Sequence, residues 1–102
     1  MEVSVSNLES KILVKIIGAV RLIDSESLKN PFEKILDESE KDVIVDLMKC
    51  PVMSSLGIGK IIFLNHRLEK QSRTMEIIGI HEHLLALFTS MKLHMVLKIR
   101  GN

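Results

Sequence analysis

The chain has 102 residues, 46% of them hydrophobic, 26% charged and 3% aromatic, with a formal net charge of +1. That is enough for one domain around one core, residues 1–102, and too little for two. With 14 basic against 13 acidic residues and no Tyr or Trp, it lacks the basic surplus and stacking rings of a dedicated nucleic-acid binder.

The opening MEVSV alternates, with Val3 and Val5 on one face and Glu2 and Ser4 on the other, which predicts a half-exposed strand. It has no basic stretch followed by an apolar run, so it does not read as a secretory leader. No apolar run reaches the roughly 18 residues of a membrane span. The single cysteine, Cys50, excludes an intrachain disulfide and fits a reducing compartment. A cytoplasmic protein without direct membrane insertion is the expectation. After a polar break at 7–10, the β-branched run KILVKIIGAV, residues 11–20, predicts a second strand antiparallel to the first.

In DSESLKNPFEKILDESEK, residues 24–41, the apolar residues Leu28, Phe32, Ile35 and Leu36 recur at helical spacing. Asn30, Pro31 and Glu33 fit a capping box with proline at the first helical position; alternatively Asp24 or Ser25 would cap an earlier start, with Pro31 inside the first turns. DVIVDLM, residues 42–48, is apolar almost throughout, the pattern of a central strand buried on both faces. Residues 56–72 carry Ile58, Ile61, Ile62, Leu64 and Leu68 on a predicted amphipathic helix. TMEIIGI, residues 74–80, predicts another buried strand, EHLLALFTSM a short helix, and HMVLKI, residues 94–99, a closing strand. The order β-β-α-β-α-β-α-β predicts an α/β fold with a mixed, mostly parallel sheet and right-handed crossovers.

Between the third strand and the second helix stands Ser54-Ser55-Leu56-Gly57-Ile58-Gly59. Open α/β sheets keep their working groups at this carboxyl end of the strands. The glycines allow a tight turn and the close approach of another surface. A phosphate here would meet free backbone N–H groups and the positive end of the helix dipole. The plain alternative is that Ser55 caps the helix.

VIVDLMKCPVMSSLGIGKII, residues 43–62, resembles the core of the STAS domain family, the fold of bacterial anti-sigma factor antagonists. In that family a strand ending in Asp-Leu, here Asp46-Leu47, is followed by Asp-Ser-(Ser/Thr/Ala)-Gly-Leu-Gly at the start of a helix. Gly18 matches the glycine after the second strand, and Leu93 the leucine after the third helix, so the resemblance covers almost the whole chain. It implies a non-enzymatic partner-switching protein in transcription regulation. Ser55 falls on the serine that a kinase-type anti-sigma factor phosphorylates with ATP, and the unphosphorylated protein binds that partner. The family's Asp before the serine is Ser54 here, which makes Ser54 the second candidate acceptor, and an often acidic position is Arg21. The resemblance also implies an alternative, a STAS binding module that is never phosphorylated and serves a stressosome-like or membrane transport complex.

Other chemistry finds little support. GIGK at 57–60 lacks the spacing of a phosphate-binding loop, and Ile61 stands where a magnesium-binding hydroxyl belongs. His81 and His83 diverge on a helix or its cap and have no third ligand in sequence, so neither a metal nor a cofactor is expected. Cys50 has no neighbouring base and reads as a part-buried loop thiol. Phe63 points away from the apolar stripe of its helix, beside Lys60, Arg67 and Lys70; it either docks a partner or packs on a neighbouring helix. The expected partner-binding set is therefore Ser54, Ser55, Leu56, Gly57, Gly59, Lys60 and Phe63.

Overall fold

A computed structural model describes residues 1–100. Five strands form one sheet in the order β1-β2-β3-β4-β5: β1 (Glu2–Asn7), β2 (Lys11–Ile17), β3 (Asp42–Asp46), β4 (Met75–Ile78) and β5 (Lys98–Ile99). β1 runs antiparallel to β2, and every other neighbouring pair is parallel. The helices are α1 (Lys29–Glu38), α2 (Ser55–Lys70) and α3 (Glu82–Ser90), with 3-10 helices at Leu22–Leu28 and Leu93–Met95. The α/β class, the element order and the central place of β3 agree with expectation.

The two-sided burial expected of β3 does not hold. Val43 and Val45 are buried, whereas Ile44 between them is half-buried. The register extends this alternation across the sheet: Ile12 and Val14 of β2 and Met75 and Ile77 of β4 lie level with Val43 and Val45 and are buried with them. Leu13, Ile44 and Glu76 form the opposite row and are only half-buried. The strand order explains this. When parallel strands follow one another in sequence order, right-handed crossovers place every connecting helix on the same face. That face holds the core, with Ile61, Leu64 and Leu68 of α2 and Phe88 of α3 all fully or almost fully buried.

Several element ends differ from expectation. β2 stops at Ile17, because Gly18 takes φ +96° and turns the chain out of the sheet; only Val20 returns, as an isolated parallel bridge to Met53. β4 ends at Ile78 before Gly79, at φ +69°. A Cβ there would stand 2.8 Å from the Asp46 carboxylate. The final strand is confined to Lys98–Ile99, since Leu93–Met95 wind into a 3-10 turn that buries Leu93.

The capping expectation for α1 is also corrected. Asn30 does not cap the helix; its N-cap is Leu28 and Pro31 lies inside the first turn. Neither Asp24 nor Ser25 is a cap. The preceding 3-10 helix is capped at Arg21, whose backbone N–H and Nε both donate to the Asp24 carboxylate, at 3.0 and 2.9 Å. The guanidinium hydrogen bond holds Asp24 below the usual carboxylate range and raises Arg21. At its other end α1 is tied to the α2–β4 turn. Arg73 donates to the carbonyls of Ile35 and Lys41 and to Gln71, and Gln71 donates to the carbonyl of Leu36. Four carbonyls at a helix C-terminus lack intrahelical partners, and here distant side chains supply some of them.

Candidate functional site

The serine turn lies where expected, between the carboxyl end of the central strand and the start of α2. Residues 47–53 lead into it and are held from two sides. On one side the segment after β2 provides three backbone hydrogen bonds: Gly18 N–H to Lys49 O at 2.7 Å, Val20 N–H to Val52 O at 3.0 Å, and Ser54 N–H to Val20 O at 2.7 Å. On the other side the start of α3 reaches back. The imidazole Nε2 atoms of His81 and His83 bond to the carbonyls of Met48 and Pro51, the latter at 2.9 Å. Both histidines meet the same loop, at carbonyls 32–33 residues earlier in the chain. No local pattern signals such a contact. Among the described residues no group of three or more His, Cys, Asp or Glu is placed to hold a metal ion.

Ser54 and Ser55 have different roles. Ser54 is the N-cap of α2: it is extended, at φ −69° and ψ 162°, and its Oγ accepts the N–H of Gly57 at 3.2 Å. The alternative that Ser55 caps the helix is therefore wrong. Ser55 is the first helical residue and is exposed, and its hydroxyl makes no hydrogen bond among the described residues. Both Asp and Ser are strong N-caps, so Ser54 in place of an aspartate keeps the local geometry of the turn.

The remaining expected residues divide by burial. Leu56 is 54% exposed, one position beyond Ser55. Gly57 is buried, and a Cβ on it would lie 2.8 Å from Val20 Cγ1 and 2.9 Å from Met53 Cγ. Its lack of a side chain serves internal packing. Gly59 is exposed, and a Cβ there would meet nothing within 4 Å. Lys60 is 3.5 Å from the Glu26 carboxylate. Phe63 is 56% exposed, and the Arg67 guanidinium lies 5.7 Å from its ring centroid. The ring also borders a groove against α1, so it is partly covered by the neighbouring helix and partly open. Exposed Ile23 (77%) and Val52 (50%) lie in the two segments that the backbone bonds join beside the turn. Sequence reading missed both, because each stands among other apolar residues, Val20 and Leu22 before Ile23 and Leu47, Met48, Cys50 and Met53 around Val52, so no local contrast marked them. Cys50 is fully buried, more so than expected, with its Sγ 3.4 Å from the Val52 carbonyl. Burial pushes its thiol up.

The sequence profile of the STAS domain matches residues 2–102. The chain belongs to the STAS domain family. No curated protein matches it by sequence. Solved structures do match it in fold. A putative anti-sigma factor antagonist from Thermotoga maritima superposes with a TM-score of 0.88 at 12% identity, covering 98% of this chain and 86% of that one. Bacillus SpoIIAA in its phosphorylated form gives 0.78 at 11% identity, over 99% and 91%. A serine-to-glutamate variant of RsbS from Moorella thermoacetica gives 0.78 at 17% identity, over 100% and 88%. Among the described residues no helix is long and apolar enough to cross a membrane.

Proposed function

We propose that this STAS domain is a cytoplasmic, non-enzymatic partner-switching protein of the anti-sigma factor antagonist kind, bound by a serine kinase-type anti-sigma factor and released when Ser55 is phosphorylated. The observation that carries the proposal is the contrast within the serine turn. The Ser54 hydroxyl is engaged in the cap, whereas the Ser55 hydroxyl is exposed and makes no hydrogen bond among the described residues, at the start of a helix and beside exposed Leu56. A STAS neighbour known in a phosphorylated form, SpoIIAA, adds support.

The chemistry of the switch follows from charge and desolvation. Phosphorylation adds about −1.5 to −2 charges at neutral pH and three acceptor oxygens. At the N-terminus of α2 the dipole favours that charge, by about 0.3–1 kcal/mol for an exposed group. The free domain therefore stays folded. In a docked complex the dianion is stripped of water against a surface that met a neutral hydroxyl, and uncompensated burial of charge is costly. The complex dissociates although the domain is intact.

The docking face comprises Ser55, Leu56, Gly59 and Phe63 along the open side of α2, with Lys60 at its edge, and Ser54 and Gly57 shape the turn from within. Gly59 has no packing reason to lack a side chain, and glycine inside a helix costs about 0.5–1 kcal/mol relative to alanine. A partner backbone that approaches closely at this point accounts for it. Affinity capture of an ATP-binding kinase from host extract tests the reading: the wild-type chain should retain it and Ser55→Asp should lose most of it. Equal retention by Ser55→Asp would refute the switch.

A further inference from the structure

We propose that the groove between α1 and α2 seats an acidic segment of a partner protein, with one apolar side chain of that segment inserted beside Phe63. The inference rests on the reading of α2 as a docking face, but not on phosphorylation of Ser55. The groove encloses about 290 Å³. Its floor is formed by Phe32, Leu36 and Leu64, all buried, and its mouth by the exposed ring of Phe63. A floor of this kind gains from an apolar occupant, which would also remove the Phe63 ring from water.

The rim selects the charge of that occupant. Lys29, Lys60 and Arg67 line the groove against one carboxylate, Glu33, a formal surplus of +2 (three cations less one anion). The whole chain carries only +1, so positive charge is concentrated here. Little of it is neutralised nearby. Glu26, the partner of Lys60, is an exposed side chain 3.5 Å away, and exposed pairs of this kind are weak. Arg67 has no carboxylate partner among the described residues and lies over the Phe63 ring. A guanidinium held over an aromatic ring at this distance keeps its N–H donors, and a carboxylate can accept two of them. Acidic residues flanking an apolar anchor therefore complement both parts of the groove.

The test is selection of a random peptide library on the immobilised full chain, followed by titration of the enriched peptides against wild type and variants. Enriched peptides should place Asp or Glu around a Leu, Ile or Phe. Their affinity should fall about tenfold or more in Phe63→Ala and in Arg67→Glu, and should weaken as salt rises. Lys29→Glu, a surface change on the other helix, provides a second variant should Phe63→Ala perturb the fold, which amide NMR spectra would reveal. Absence of enrichment, enriched peptides without acidic residues, or affinities indifferent to these changes would overturn the proposal. So would capture of an oligonucleotide or of phosphatidylserine vesicles through Lys29 and Arg67 without any acidic peptide. Peptides that depend on Leu56 but not on Phe63 or Arg67 would overturn the groove and leave the docking face standing.

Discussion

Ser54 and Ser55 differ by one position and by everything that matters chemically. The Ser54 hydroxyl satisfies a helix N–H that would otherwise lack a partner, so Ser54→Ala should cost about 1 kcal/mol in urea unfolding. The exposed Ser55 should change by less than about 0.5 kcal/mol on replacement with Ala. Cys50 supplies a pH-dependent prediction. Its thiol is raised in the fold by burial, so above the unfolded pKa the unfolded chain holds fewer protons than the native one. Stability from this group is complete below roughly pH 8.5, the ordinary thiol value, and is lost as pH rises from there through the higher folded value. Urea midpoints measured from pH 7 to 10 should fall more steeply for wild type than for Cys50→Ala. Equal slopes would show that the thiol does not titrate differently on folding. At this scale the place of the two serines at the start of α2 and the outward direction of Phe63 were legible from residue type and spacing. Which serine caps the helix was not, because either hydroxyl can reach an N–H at a helix start and only the backbone conformation decides.

Helices α1 and α2 show how elements are secured by residues outside them. The C-terminal end of α1 depends on Arg73, which is almost fully buried and donates to carbonyls at Ile35 and Lys41. Arg73→Ala would leave those carbonyls short of a donor, and hydrogen bonds from charged groups are worth about 1.5–3 kcal/mol each. A loss of about 2–4 kcal/mol in urea unfolding is expected, with Arg73→Lys recovering little because an ammonium cannot span both carbonyls. No periodicity could have announced this, since the partners are 32 and 38 residues away. The same distance hides the clasp of His81 and His83 on the loop before the serine turn. In α2 the two glycines should respond oppositely to alanine. Gly57→Ala forces a Cβ against Val20 and Met53 and should lower the melting temperature, whereas Gly59→Ala meets open space and should stabilise by about 0.5–1 kcal/mol. If the docking face is as proposed, Gly59→Ala gains that stability while losing affinity for the kinase. Of the two starts expected for α1, the earlier one with Pro31 inside the first turn is the observed one, and only its capping residue was misjudged; Pro31 is tolerated there because the N–H groups of a first turn need no intrahelical partner.

For the whole molecule, the alternation of strands and helices was enough to deduce one mixed sheet, and the apolar run of β3 was what put that strand at its centre. The covering of that sheet was not deducible from β3 alone. An unbroken apolar run suggested two buried faces, but strand order decides where the helices go, and strand order is not written in any one strand. Half-buried Leu13 and Ile44 on the second face are the result. The parallel pairing of β2, β3 and β4 brings their carboxyl ends together at the end of the molecule that carries the serine turn. There the chain presents the Ser55 hydroxyl, exposed and without a hydrogen bond among the described residues, at the head of a helix whose outer side is open. The central claim is that this hydroxyl is the phosphoacceptor. The most direct measurement is site-resolved mass spectrometry of the full chain after incubation with host extract and ATP. A single phosphate on Ser55, retained in Ser54→Ala and absent from Ser55→Ala, is the predicted result; an unmodified chain, or a phosphate on Ser54, would contradict it.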